Sequence, residues 1–233
     1  MLLKTDRETM NGTVLAAERL SMKVSSPEGS LIILDDVSIH INAGETIAIV
    51  GASGAGKSTL LALLAGLDVP TSGSVRINGT ELSQLDEDGR AALRAQHVGF
   101  FFQSFHLVPS LTALENIMLP LELGGQTNPR EKASLALQNV GLSARGGHYP
   151  NQLSGGEQQR VAIARAFVTH PSVLFADEPT GNLDTATGDK IVQQLFDMNA
   201  AAGTTLVLVT HDQKLASRCQ RVIHLEMGKV INA

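Results

Sequence analysis

From Thr13 to Ile41 apolar and polar positions interleave: Val14-Leu15-Ala16, then Ile32-Ile33-Leu34, then Val37, Ile39 and Ile41 against Ser38, His40 and Asn42. A period of two sends successive side chains to opposite faces, so this stretch predicts an antiparallel β layer. Glu45 to Val50 is nearly continuous in apolar character, as expected of a strand covered on both faces. It runs into a glycine-rich loop, after which Lys57 onward carries Leu60, Leu61, Leu63, Leu64 and Leu67 at helical spacing. From about Leu85 the periodicity is mostly helical, with Glu87 to Ala95, Ala113 to Leu123 and Arg130 to Val140 punctuated by Pro120, Pro129 and Gly141. Val173 to Ala176 and Thr205 to Val209 then read as short buried parallel strands, and Arg221 to Leu225 and Lys229 to Ile231 flank Met227-Gly228 as a closing hairpin. The pattern predicts an α/β chain. Residues 1–90 and 161–233 form its core and β layer, and 91–160 form a helical insertion.

Composition narrows the function more than the fold. A chain of 233 residues accommodates one sizeable α/β core with an inserted subdomain. A net charge of −5 and no basic run argue against a nucleic-acid footprint, and a single tyrosine and no tryptophan leave little base-stacking surface. One cysteine, Cys219, excludes an internal disulfide and any multi-cysteine metal site. The stretch Met1 to Gly12 is polar and of mixed charge, unlike a secretory signal, which predicts a cytoplasmic protein. Apolar runs such as Leu60 to Leu67 fall far short of the roughly 18 residues that span a bilayer, so membrane passage must come from a partner.

The strand-loop-helix at Glu45 to Leu67 contains Gly51-Ala52-Ser53-Gly54-Ala55-Gly56-Lys57-Ser58. Glycines let successive backbone N–H groups converge on phosphate oxygens, a lysine offsets their charge, and a hydroxyl reaches a metal ion. Asp177 and Glu178 follow the apolar run Val173 to Ala176, which puts two carboxylates at the carboxyl edge of a parallel sheet, where α/β folds bind ligands. Leu153-Ser154-Gly155-Gly156-Glu157-Gln158-Gln159-Arg160 supplies a second anion site, a hydroxyl and two glycines ahead of a helix. Two phosphate sites for one nucleotide make sense if two copies of the chain sandwich it.

On these motifs the chain resembles the ATP-binding subunits of ABC transporters, from about Val14 to Ile231. The resemblance implies a P-loop NTPase fold with a RecA-like core, and residues 1–233 as a single ATP-binding domain. It implies ATP and Mg²⁺ as ligands. Gly51, Ser53, Gly54, Ala55, Gly56, Lys57, Ser58 and Thr59 would hold the phosphates, and Ser58, Gln103 and Asp177 the metal. Glu178 would polarise the attacking water, helped by the switch histidine His211 and by Gln103. Ser154, Gly155, Gly156 and Glu157 would meet the partner's nucleotide, with Asp184 of the D-loop facing the partner's phosphate loop. One departure stands out: Val24 occupies the position where the family usually stacks an aromatic on adenine.

Ala65-Gly66-Leu67-Asp68, Phe102-Gln103-Ser104-Phe105-His106-Leu107 and Thr112-Ala113-Leu114-Glu115-Asn116 point further, to the lipoprotein-releasing and macrolide-export group. That likeness implies a homodimer formed on ATP binding and an integral membrane permease of the YbbP, MacB or LolC–LolE kind. It also allows a periplasmic accessory protein, and places the chain peripherally on the cytoplasmic face of the inner membrane. Force from dimer closure would serve export, or extraction of a lipid-like substrate. Phe105, Leu107, Val108, Leu111 and Leu114 either receive a permease helix or belong to the insertion's core. Two rival functions are a soluble ABC ATPase of DNA repair or translation and a non-hydrolysing nucleotide-binding regulator. The presence of Glu178 speaks against the second.

Overall fold

The computed structural model describes residues 12–26, 29–102, 105–179 and 185–232. In chain order the first elements are β1 (Thr13–Ser26), β2 (Gly29–Asn42), β3 (Thr46–Val50), α1 (Lys57–Leu64), β4 (Ser72–Ile77), β5 (Thr80–Glu81) and α2 (Glu87–His97). Then follow β6 (Val98–Phe102), α3 (Ala113–Leu123), α4 (Pro129–Asn139), α5 (Gly155–Phe167), β7 (Val173–Asp177) and α6 (Thr185–Ala202). The chain closes with β8 (Thr205–Val209), α7 (Gln213–Ala216), β9 (Arg221–Glu226) and β10 (Lys229–Asn232). Its contacts divide into two compact units, residues 1–90 with 205–233, and residues 91–204.

The first unit holds the predicted antiparallel layer. β1 pairs with β2 along its whole length, from Thr13 opposite Asn42 to Ser26 opposite Gly29, and on its other side with β4, Leu15 facing Ile77. The pairing breaks register near Arg19, whose φ of 49° bends β1. At that bend β4 approaches so closely that a Cβ on Gly73 would stand 2.4 Å from the Arg19 carbonyl oxygen. In the same unit β3 lies between β8 and β9, parallel to both, with β10 antiparallel to β9. Ile47, Ala48, Ile49 and all of β8 are buried, as their continuous apolar runs require. α1 buries Leu60, Leu61, Leu63 and Leu64, then stops: Gly66 turns left-handed at φ 67° and Leu67 is half exposed rather than continuing the helix.

The second unit packs helices against a parallel pair, β6 with β7, in register from Val98 opposite Val173 to Phe102 opposite Asp177. Its helical core joins Ile117 and Leu121 of α3, Leu137 of α4, and Val161 and Ala164 of α5. A Cβ on Gly99 would lie 2.4 Å from the Ala166 carbonyl oxygen, so the glycine is what lets α5 rest directly on β6. Both α3 and α5 start in capping boxes. Thr112 and Glu115 close the first, and Ser154 and Glu157 the second.

Candidate nucleotide site

Within the first unit, β3 delivers the phosphate loop. Gly54 and Gly56 take φ of 80° and 98°, and a Cβ on Gly51 would stand 2.2 Å from the Leu225 carbonyl oxygen, so the loop's curvature depends on these glycines. Lys57 curls over the loop, its Nζ donating to the Gly51 and Ala52 carbonyls, both at 2.9 Å. These are bonds an ammonium can exchange for phosphate oxygens. Helix α1 starts at Gly56 with no side-chain cap, which leaves its first-turn N–H groups for an anion, and the Ser58 side chain is exposed beside them. The cradle therefore fits a phosphate chain. His211 leaves the same sheet edge one strand away, since Thr210, at the end of β8, donates its N–H to the Ile49 carbonyl at 3.2 Å. The loop is braced from behind: the Gly228 N–H of the closing hairpin donates to the Ala55 carbonyl at 3.2 Å.

Val24 lies on β1 opposite Leu31 of β2. Both are exposed, at 41% and 62%, and together make an aliphatic face where the sequence placed a lone valine.

Within the second unit, Asp177 and Glu178 stand half-buried at the carboxyl end of β7. Asp177 pairs with Phe102, the residue just before Gln103. Glu178 takes a left-handed φ of 45°, unusual for a residue with a side chain and more so ahead of a proline. Gln103 and Asp184 lie outside the described residues.

The start of α5 differs from a bare donor site. The Glu157 carboxylate folds back to accept the Ser154 N–H at 2.9 Å, while the Ser154 Oγ accepts the Glu157 N–H at 3.3 Å. Those bonds to Ser154, backbone first and hydroxyl second, hold the Glu157 carboxyl below its ordinary pKa, with Arg145 at 3.0 Å adding to the effect. The Arg145 guanidinium thus offsets a negative charge that would otherwise oppose an incoming phosphate. Ser154 and Gly155 remain exposed.

Two polar side chains of α5, the half-buried Arg165 and the buried Gln159, make contacts that no sequence pattern announces. Arg165 donates to the Phe105 and His106 carbonyls, both at 2.7 Å, and these two residues take left-handed φ of 58° and 44°. The segment that follows Gln103 is thereby tied to the helix that begins at Ser154. Burial lowers the Arg165 pKa, and the carbonyl oxygens are what solvate its charge. Gln159, fully buried, donates from Nε2 to the Pro179 carbonyl at 2.7 Å. No sequence pattern marks either contact, because each ends on a backbone oxygen far away along the chain. Leu107 and Leu114 pack on the helical core, whereas Phe105, Val108 and Leu111 are half-buried. Asn116, fully buried, ties the same loop to α3 through Val108 and Leu111.

Comparison with known proteins agrees with this geometry. The sequence profile of the ABC transporter family matches residues 34–181. The ABC transporter ATP-binding protein YbbA of Escherichia coli K12 is 54% identical over 219 residues, covering 93% of this chain and 96% of that protein. The lipoprotein-releasing system ATP-binding protein LolD of Xanthomonas campestris is 47% identical, covering 99% and 97%. The macrolide export ATP-binding/permease protein MacB of Burkholderia pseudomallei is 46% identical, covering 95% of this chain but 34% of that longer protein. Among solved structures, the dimeric post-hydrolysis state of the ATP-binding cassette MJ0796 bound to ADP and Pi superposes with a TM-score of 0.85 at 40% identity, covering 94% and 97% of the two chains. The chain belongs to the ABC transporter family, as one of its ATP-binding, ATP-hydrolysing cassettes.

Proposed function

We propose that two copies of this chain close around two ATP molecules and that this closure drives a membrane permease. The observation that carries the reading is the phosphate loop, with glycines at φ 80° and 98° and the Lys57 ammonium held by the loop's own carbonyls. On ATP binding, Lys57 turns from those carbonyls to the phosphates, and the free N–H groups at the start of α1 take up the remaining charge. Glu178 accepts a hydrogen bond from the attacking water and orients it, with His211 assisting at the γ-phosphate. Ser154 to Gly156 of one copy meet the nucleotide of the other, and family likeness assigns Asp184 and Gln103 roles in the same reaction. The Ser58 hydroxyl and the Asp177 carboxylate, hard oxygen donors of the kind Mg²⁺ takes, are the residues that would hold it, and the ion would supply positive charge to offset the phosphates.

Likeness to LolD and MacB supports a role beside a permease with a large periplasmic part, and a position on the cytoplasmic face of the inner membrane. No helix among the described residues is long and apolar enough to cross a membrane, which fits a peripheral subunit. Export or extraction of a lipid-like substrate is the function this supports best. Phosphate release tests the site: Lys57→Ala should lose ATP binding, and Glu178→Gln should keep binding while losing turnover. Wild-type turnover by Glu178→Gln at saturating Mg²⁺ would remove Glu178 from the mechanism.

A further inference from the structure

The geometry points to Gln159 as a positioning residue for Glu178, through which the helix that contacts one nucleotide sets the catalytic carboxylate serving the other; this rests on the proposed roles of Glu178 and of Ser154 to Gly156. Gln159 lies on α5, five residues beyond Ser154, and has no solvent exposure. Its amide donates to the Pro179 carbonyl at 2.7 Å, and Pro179 is itself buried. Its Oε1 is also buried and has no hydrogen-bond partner among the described residues. An amide placed for stability alone would satisfy both ends; among the described residues this one holds a single distant carbonyl and its acceptor meets no donor.

What that bond holds is the carbonyl of the residue that immediately follows Glu178. Glu178 takes a φ of 45° ahead of a proline, a backbone that neither residue type favours and that persists only where neighbouring structure imposes it. Pro179 lacks an N–H, so its carbonyl is the one main-chain hydrogen-bonding group that residue itself offers. With the carbonyl pinned to α5, rotation of Glu178 towards an ordinary backbone would have to break the bond. The rest of α5 is equally firm: Val161, Ala162, Ile163 and Ala164 are fully buried, and Gly99 lets the helix sit on β6 without an intervening side chain. A displacement of the Ser154 end by a partner's nucleotide therefore reaches Pro179 through a rigid rod and one short hydrogen bond.

The consequence is a split in kinetics. Gln159→Met keeps the shape of the side chain and removes the donor, so the helix stays packed while the Pro179 carbonyl is released. ATP binding, made by residues of the phosphate loop, should be unchanged and KM with it. The turnover number should fall about 10- to 100-fold, the effect of a catalytic group misplaced by about an ångström, and the dependence of rate on ATP concentration should lose cooperativity. The experiment measures steady-state ATPase of wild type, Gln159→Met and Glu178→Gln, with rates divided by the number of nucleotide-binding sites titrated by a fluorescent ATP analogue, so that misfolded protein does not enter. Loss of turnover number at constant KM supports the inference. A Gln159→Met enzyme with wild-type turnover per site, while Glu178→Gln is inactive, overturns the inference alone; an active Glu178→Gln overturns the underlying reading of the site.

Discussion

Gly228, in none of the nucleotide motifs, should govern both stability and ATP affinity. It turns the closing hairpin at φ 77°, and a Cβ there would stand 2.4 Å from the Ile33 carbonyl oxygen, 3.0 Å from that carbonyl carbon and 3.1 Å from the Leu34 Cα. All three contacts are backbone, so none can rotate aside. Gly228→Ala therefore incurs about 1–2 kcal/mol for the left-handed backbone and a further term for moving the hairpin off β2, about 2–4 kcal/mol altogether. At about 2–4 °C per kcal/mol for a chain of this size, the melting temperature should drop by about 5–15 °C. The same displacement strains the Gly228 N–H bond to the Ala55 carbonyl, which braces the phosphate loop. Losing a bond of about 0.5–1.5 kcal/mol weakens ATP binding by about 2- to 12-fold. Gly79→Ala is the control, because Gly79 has a φ of 78° and nothing within 4 Å of its added Cβ. Circular dichroism melts and fluorescent-nucleotide titrations of the two variants separate the terms. Equal melting temperatures for Gly228→Ala and Gly79→Ala would refute the contact argument.

Val24→Tyr should restore a stacking face beside Leu31 and tighten ATP binding by about 2- to 12-fold, from the roughly 0.5–1.5 kcal/mol of an aromatic stack; unchanged affinity in the same titration would place adenine elsewhere. Hydrogen bonds to the Thr112 backbone and then its hydroxyl hold the Glu115 carboxyl below its ordinary value of 4.5. Its contribution to stability is thus complete above about pH 4.5 and lost as the pH falls through the lower folded value. Melts between pH 5 and pH 3 should show a shallower loss for Thr112→Ala than for wild type, and parallel curves would discount the capping box. Leu111→Asp should abolish co-purification with the permease while ATP binding survives, because Leu111 is outside the phosphate loop and the buried cluster; Leu107→Asp should instead lower the melting temperature, since Leu107 packs on that cluster.

Elements driven by local periodicity were legible along the chain. Ala113 to Leu123 and Thr205 to Val209 are α3 and β8 to the residue, and the phosphate loop sits where strand and helix patterns meet. β4 was missed because Ser72-Gly73-Ser74 carries no alternation, and its pairing depends on Gly73 admitting the bend at Arg19. α6 was missed because Thr185, Thr187 and Gly188 open it with poor helix formers. In the site, the motif residues could be read because their chemistry is local to a loop or a helix start. Ser154, Gly155 and Gly156 read as a donor site, whereas the reciprocal capping of Ser154 with Glu157 and the Arg145 pairing are visible only in the fold. The contacts of Gln159 and Arg165 could not be found in sequence, because what they bind is a peptide oxygen, and every residue has one.

If each nucleotide is held by two copies of the chain, particle mass in solution must change with ATP. Glu178→Gln, which should bind ATP without consuming it, is passed through size exclusion with light scattering at several protein concentrations, without nucleotide, with ADP and with ATP. A monomer is expected in the first two conditions and a dimer with ATP, with loss of that dimer when Gly155→Asp is added, since a carboxylate at the exposed start of α5 would face the partner's phosphates. The same mass in all conditions, or an ATP-dependent dimer indifferent to Gly155→Asp, would contradict the composite site.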